Sequence, residues 1–311
     1  MRVFVAGASG AIGRPLVGQL LAAGHEVTGV TRRADRAAEI RAAGAAAVVC
    51  DAFDRAALAA AVREAAPEVV VNQLTSLPRR YEPRSASFYE TTNRVRSEGG
   101  GNLIEAARAA GASRFLTQSI AFLYAPEGDW VKDEQAPPFD HAPGHFGTAV
   151  RTMLEHERLV VESGDFEGLV LRYGQLYGPG TYFARDGHIG REVRRRRFPV
   201  VGAGTGTFSF LHVEDGAGAT VAALARGARG IYNVVDDEPA ALRDWLPAYA
   251  EALGAKPPRH VPFWLARLVA GGSVARTAVE LRGASNAKAK RELAWRPRHP
   301  SWRQDFREGL G

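Results

Sequence analysis

The run Val3-Phe4-Val5-Ala6-Gly7-Ala8-Ser9-Gly10-Ala11-Ile12-Gly13 opens the chain, and its reading decides the fold. Val3 to Ala6 are apolar without alternation, as in a short parallel strand buried on both faces. An amphipathic helix follows, with Ile12, Leu16, Val17, Leu20 and Leu21 on one face, and Gly24 closes it. His25 to Val30 then reads as a second strand. Strand, glycine turn, helix and strand in this order form the unit that seats a dinucleotide pyrophosphate on a helix N-terminus. Gly7 permits the tight turn, Gly10 lets the backbone approach the phosphates, and Gly13 lets the helix pack on the strand. Gly7, Ser9, Gly10, Ala11, Ile12 and Gly13 are the predicted pyrophosphate contacts.

The end of the second strand should select the cofactor. NAD sites commonly place a carboxylate there, against the ribose hydroxyls. Here the strand ends Thr31-Arg32-Arg33, with no acid until Asp35. A guanidinium binds a 2′-phosphate bidentately, whereas a carboxylate repels it. The expected cofactor is therefore NADP(H), with Arg32 and Arg33 as the clamp.

The same alternation continues outward. Helices are predicted over 35–43, 55–65 and 98–110, and strands at Ala47–Cys50, Val69–Asn72 and Arg114–Thr117. The expected fold is α/β, a Rossmann-type doubly wound parallel sheet that binds ligands at the carboxyl ends of its strands. Asp51, Ala52, Gln73, Leu74 and Thr75 fall at such ends and join the predicted cofactor contacts.

Length and composition agree with this. The 311 residues accommodate a full core with an appended lobe, and 46% are hydrophobic, which excludes wholesale disorder. A single cysteine, Cys50, excludes an internal disulfide framework and a multi-cysteine zinc site. Strand-like residues follow Met1 directly and no apolar run approaches the ~20 residues of a membrane span, so a cytoplasmic protein with no membrane partner is expected. The net charge is +6, yet only Lys132, Lys256, Lys288 and Lys290 of the 40 basic residues are lysines. The arginines are mostly interleaved with acids, so no nucleic-acid partner is expected. Arg194 to Arg197 are the one run, read as a solvated helix end, with an anion site as the sharper alternative.

Later segments carry a family resemblance. Leu171-Arg172-Tyr173-Gly174-Gln175-Leu176-Tyr177-Gly178-Pro179-Gly180, Phe210-Leu211-His212-Val213-Glu214-Asp215, Ile231-Tyr232-Asn233-Val234 and Ser285 to Leu293 occur in order after the glycine turn. Together they resemble the extended, or atypical, short-chain dehydrogenases/reductases of the NAD-dependent epimerase/dehydratase group, across nearly the whole chain. The resemblance implies that Asp51 contacts the adenine, that Asn93 opens the long helix, and that Leu171 to Gly180 passes under the nicotinamide, with Asn93 and Tyr173 among the cofactor contacts. It also implies a discontinuous layout: residues 1–180 and 206–237 bind the cofactor, and 181–205 with 238–311 form a smaller, mainly helical substrate lobe.

The catalytic positions depart from this family. Its members carry Tyr-x-x-x-Lys with an upstream Ser or Thr, and the tyrosine exchanges the carbonyl proton. Phe146 and Val150 occupy those two slots here, or Ala149 and Met153 in a second register. Ile120 stands where the Ser or Thr is expected, with Ser119 one residue away. Ordinary alcohol oxidation is therefore not expected. Tyr124, His145 and Ser119 are the candidate catalytic residues, with Arg151 and Tyr177 as further local polar groups. A reductase of a small organic substrate (carbonyl, imine or activated alkene) is the expected function. A non-enzymatic NADP(H)-binding regulator, a nucleotide-sugar epimerase or dehydratase and a non-redox enzyme stand as alternatives.

In the second half, Tyr182 to His188 is an expected pocket loop with aromatics for an apolar substrate, and Pro257-Pro258 marks a linker. Asp236-Asp237-Glu238 reads as a solvated turn and His212 as structural, and no metal site is expected. A homodimer is left open.

Overall fold

The computed structural model describes residues 1–308. Seven strands form the central sheet: β1 Arg2–Ala6, β2 Glu26–Thr31, β3 Ala46–Val49, β4 Val69–Asn72, β5 Arg114–Ile120, β6 Glu167–Tyr173 and β7 Gly230–Val234. Their spatial order is β3-β2-β1-β4-β5-β6-β7, and every pairing is parallel. The reversal of winding at β1 and β4 opens a crevice at their carboxyl ends. Phe4, Val5, Val70 and Val71 are fully buried, as strands covered on both faces require. Each such side chain contributes roughly 1.5–3 kcal/mol of burial.

Helices α1 Gly13–Ala22, α2 Ala34–Ala42 and α3 Arg55–Ala65 connect the first strands. The glycine turn behaves as the sequence requires. Gly7 has φ +86°, and a Cβ there would stand 2.6 Å from the Gln73 carbonyl oxygen. A Cβ on Gly13 would stand 2.2 Å from the Gly7 oxygen, so the start of α1 can close on the turn only without a side chain. Pro15 sits in the first turn of α1, where no backbone N–H is needed.

The long crossing helix differs from expectation. It begins twelve residues earlier, as α4 Ala86–Arg94, passes through a π-helical turn at Val95–Gly99, and continues as α5 Gly100–Ala109. Gly99, Gly100 and Gly101 look like breakers in sequence, yet they lie within the helix. A Cβ on Gly100 would stand 2.6 Å from His156 Cε1, so the glycine serves close packing. The neighbouring helix, α6 Gly144–Val161, lies alongside.

Helices α7 His188–Arg194, α8 Val213–Ala223, α9 Leu242–Ala252, α10 Phe263–Ala270, α11 Gly272–Glu280, α12 Ala287–Glu292 and α13 Trp302–Glu308 complete the molecule. A second core gathers Phe183, Phe208, Phe210, Trp245, Tyr249 and Trp302 from the second half of the chain. Ala289, Leu293 and Trp295 instead join the core around α1 and the sheet, so the segment around α12 packs on the sheet although its sequence lies beyond residue 238. Asp236 is buried rather than in a solvated turn: it accepts from the backbone N–H of Trp302 (3.1 Å) and anchors α13. The Arg194–Arg197 run follows α7 and satisfies nearby carbonyls: Arg194 donates to the Arg185 oxygen (2.7 Å) and Arg196 to the Pro257 oxygen (3.2 Å). Among the described residues no helix is long and apolar enough to cross a membrane.

Candidate active site

The glycine turn, the ends of β2, β3 and β4, and the helices beyond them converge on one edge of the sheet. Ile12 precedes α1 without a side-chain cap; in the first turn Arg14 N donates to the Gly10 oxygen (3.1 Å) and Pro15 has no N–H, so the helix start itself is tied to the glycine turn. Ser9 Oγ and Thr31 Oγ1 share a hydrogen bond (3.1 Å) and tie the turn to β2. Gln73 N donates to the Ala6 oxygen (2.8 Å), which places Gln73, Leu74 and Thr75 beside the turn. Asp51 is exposed at the end of β3, and Ala52 next to it is buried. The glycine turn has no side chains between its backbone and the neighbouring strand ends, as the close approach of a dinucleotide pyrophosphate requires.

The two arginines of the predicted clamp are not equivalent. Arg33 forms an ion pair with Asp35, Nε to Oδ1 2.9 Å, on an exposed surface. Arg32 is exposed and has no hydrogen-bond or ion-pair partner among the described residues. Asp35, in the first turn of α2, therefore occupies one of the two guanidinium groups.

Two further expectations for this edge change. Asn93 lies in the last turn of α4 rather than opening a helix, and its Oδ1 is buried without a partner. Helix-poor residues such as Ser87, Thr91, Thr92 and Asn93 itself conceal the first two turns in the sequence. Tyr173 does not present its side chain to a cofactor. Its hydroxyl accepts from Gln73 Nε2 (2.9 Å) and meets Thr220 Oγ1 (2.6 Å) inside the core, leaving its backbone for any contact.

The candidate catalytic residues are dispersed. Tyr124 is buried, its hydroxyl donating to Asn233 Oδ1 (2.7 Å) and accepting from Arg172 Nη1 (3.1 Å). Arg172 in turn grips Glu157 through Nε to Oε1 (3.0 Å) and Nη2 to Oε2 (2.5 Å). Burial pushes the Tyr124 phenol up, and the fixed bonds leave it no proton to exchange with a substrate, so Tyr124 is structural. Ser119 lies on the α6 side of β5, where Arg172 is its cross-strand neighbour. Its Oγ is buried without a partner, beneath α6 rather than in open space. His145 is in the first turn of α6, not in a proline-rich loop. It is exposed, and its ring stacks on Tyr89 with centroids 6.5 Å apart. Tyr177 donates to Asp305 inside the second core, and Arg151 donates to the Asp140 carbonyl (2.9 Å). Phe146 and Val150 both lie on α6, Phe146 half-buried and Val150 fully buried.

Several residues of the cleft escape a reading of the sequence. Tyr81, Phe88 and Tyr182 form an aromatic corner, Tyr81 lying 5.5 Å from Phe88 and 5.3 Å from Tyr182 between centroids. This corner joins α4 to the expected pocket loop, and Tyr182 donates to the Pro78 carbonyl (2.6 Å). The aromatic spacing in residues 81–89 is the one sequence signal for it. Burial raises the Tyr81 phenol to about 12, so it is a weak acid. Beneath α6, Asn72 Nδ2 and Thr117 Oγ1 contact His156 Nε2 at 3.2 and 3.0 Å. Burial, with the Arg96 charge beside it, holds His156 down at about 4, hence neutral. One metal-type grouping exists among the described residues, His212, Glu214 and His299, which the sequence spacing does not reveal. The two imidazoles lie against each other with centroids 3.9 Å apart, and His299 Nδ1 meets Asp305 (3.1 Å). A cavity of about 340 Å³ opens at the opposite, amino-terminal edge of the sheet, between Arg2, His25, Glu26 and Pro67, away from the glycine turn.

Comparison with known proteins supports the architecture. The family model described as "NAD dependent epimerase/dehydratase family" matches residues 3–235. A Streptomyces protein named 3-diazoavenalumate denitrifying reductase is 49% identical over 312 residues, covering 100% of this chain and 99% of its own length. A ketoreductase of Stigmatella aurantiaca, acting on a farnesylated dihydroquinoline oxide by its name, is 27% identical over 87% of this chain and 79% of its own. Among solved structures, a Thermus thermophilus UDP-glucose 4-epimerase in complex with NAD superposes with a TM-score of 0.74 at 25% identity, covering 100% of this chain and 98% of that one. The glycine turn, the seven-stranded sheet and these matches together place the chain in the NAD-dependent epimerase/dehydratase family.

Proposed function

We propose that this protein is an NADPH-dependent reductase that replaces the diazo group of an aromatic diazo carboxylate by hydrogen, with release of dinitrogen. The observation that carries this reading is the 49% identity, across the full length, with a protein named for the reductive denitrification of a diazo carboxylate. The chemistry agrees with the site. Carbonyl reduction needs a proton as well as a hydride, and the α6 residues Phe146 and Val150 have no exchangeable side-chain proton. Displacement of dinitrogen from an aryl diazonium by hydride needs no proton from the protein. Bound NADPH supplies that hydride.

The chain's own residues then have three tasks. Gly7, Ser9, Gly10, Ala11, Ile12 and Gly13 seat the pyrophosphate, with Gln73, Leu74 and Thr75 beside it. Asp51 and Ala52 flank the adenine, and Arg32 takes the 2′-phosphate with Arg33 in support. Tyr81, Phe88 and Tyr182 offer faces against which an aromatic ring stacks. In this reading, residues 1–180, 206–237 and the α12 segment hold the cofactor, and 181–205 with the rest of the C-terminal part cover the substrate.

The test is turnover of a stable probe, diazotised 3-amino-4-hydroxybenzoate, followed by NADPH oxidation and dinitrogen evolution. One dinitrogen per NADPH is expected. Turnover of ketones with none of the diazo probe would overturn the reading in favour of a carbonyl reductase.

A further inference from the structure

The π-helical turn carries Arg96 in an unusual setting. Thr92, Arg96 and Gly100 are spaced by four and share one side of the crossing helix. Gly100 lies against His156, and Tyr89 stacks on His145. Both pairs have the same separation in sequence, so α6 runs beside the crossing helix in constant register. Arg96 is therefore level with Thr152 and Met153, one turn below Ala149 and Val150. Ala149, Val150 and Met153 are buried and offer no acceptor.

No hydrogen bond or ion pair holds the Arg96 guanidinium among the described residues, and its Nε is buried without a partner. The acid on the adjoining turn of α6, Glu157, is taken by Arg172. The surroundings lower the pKa of Arg96 to about 10 by burial, with Glu157 opposing the shift. The residue as a whole is half-buried. Thr92 Oγ1, Asn93 Oδ1 and Ser119 Oγ, from the same stretch of helix and the strand beneath α6, are also buried without partners. The packed sides of the crossing helix are closed by His156 below and by the β3–α3 loop, where Asn102 donates to the Ala52 oxygen (2.9 Å).

A guanidinium with a buried, unpartnered Nε is unfavourable unless an anion completes it. We propose that Arg96 is an anion-binding residue that receives the carboxylate of the substrate. The guanidinium fork matches a carboxylate bidentately. Thr92 and Ser119 hydroxyls provide further donors for its oxygens. This rests on the diazo carboxylate reading, and names the part of the substrate that the reading leaves without a partner.

The experiment is calorimetric titration of the protein saturated with NADP⁺, using 4-hydroxycinnamate and its uncharged carboxamide. The wild type should bind the acid at least tenfold more tightly than the amide. Arg96→Gln should lose that preference by weakening the acid alone, and Arg96→Lys should restore part of it. Because the wild-type guanidinium is unpaired without ligand, Arg96→Met should melt no lower than the wild type. Equal binding of acid and amide by the wild type, or undiminished acid binding by Arg96→Gln, would overturn the assignment. The outcome separates from the function itself. Dinitrogen release with Arg96-independent acid binding removes the carboxylate site and leaves the reductase. Arg96-dependent acid binding without dinitrogen release does the reverse.

Discussion

Arg32 and Arg33 are neighbours in sequence but stand differently in the structure: Arg33 is held by Asp35, and Arg32 is free among the described residues. A charge-assisted bond to a phosphate is worth about 1.5–3 kcal/mol. Arg32→Ala should therefore raise KM for NADPH by roughly 10–100-fold and leave KM for NADH unchanged, with a smaller effect for Arg33→Ala; steady-state kinetics with both cofactors decide this. The buried Glu157–Arg172–Tyr124–Asn233 chain sets a second contrast at this scale. Removing one member of a buried ion pair strands the other charge, so Glu157→Gln should lower stability by about 3 kcal/mol in urea denaturation. Tyr124→Phe should cost only ~1 kcal/mol and leave kcat within about twofold, because the phenol serves Asn233 and not a substrate. The sequence suggests Tyr124 as a proton donor because a tyrosine stands near an empty slot. What it cannot show is that Asn233, more than a hundred residues away, already claims the hydroxyl.

At the scale of elements, β1, the glycine turn and α1 are legible because each signal there is local: apolar run, glycine spacing, amphipathic face. The α4–α5 helix is not. Its first turns carry Ser, Thr and Asn, and its middle carries three glycines, so propensity alone cuts it short. Packing against α6 overrides that propensity. The glycines can be told apart by what surrounds them. Gly100→Ala should destabilise by about 1–3 kcal/mol through the collision with His156. A methyl group on Gly101 would have nothing within 4 Å, so Gly101→Ala should stabilise by about 0.5–1 kcal/mol. Thermal melts of the two single variants check both signs. The aromatic corner of Tyr81, Phe88 and Tyr182 is equally hidden, since it needs the register of α4 against a loop from the other half of the chain.

Across the whole molecule, the C-terminal part is fastened back onto the sheet by polar groups that the sequence leaves scattered. His299 lies between Asp305 (3.1 Å), Glu214 and the His212 ring. Burial alone would lower its pKa, but the hydrogen bond and charge of Asp305, with Asp215 and Glu214, raise it above the ordinary value. A raised folded-state pKa means that the protonated form favours the fold. This stabilisation is complete below the unfolded value near 6.5 and is lost as pH rises through the folded pKa. The Tm should accordingly fall across that interval, and Asp305→Asn should flatten the fall; melts from pH 5.5 to 9 measure it. The fold and cofactor cradle are thus readable from the first forty residues, while the reaction is narrowed mainly by what α6 lacks. Direct hydride displacement of dinitrogen, without a protein proton, is the claim on which the functional account stands. It is tested by running the reaction with NADPH deuterated at nicotinamide C4, on both faces, in ordinary water and with unlabelled NADPH in deuterium oxide. The account predicts one deuterium at the carbon that bore the diazo group in the first case and none in the second. Deuterium at that carbon from the solvent, with none from the cofactor, would contradict it.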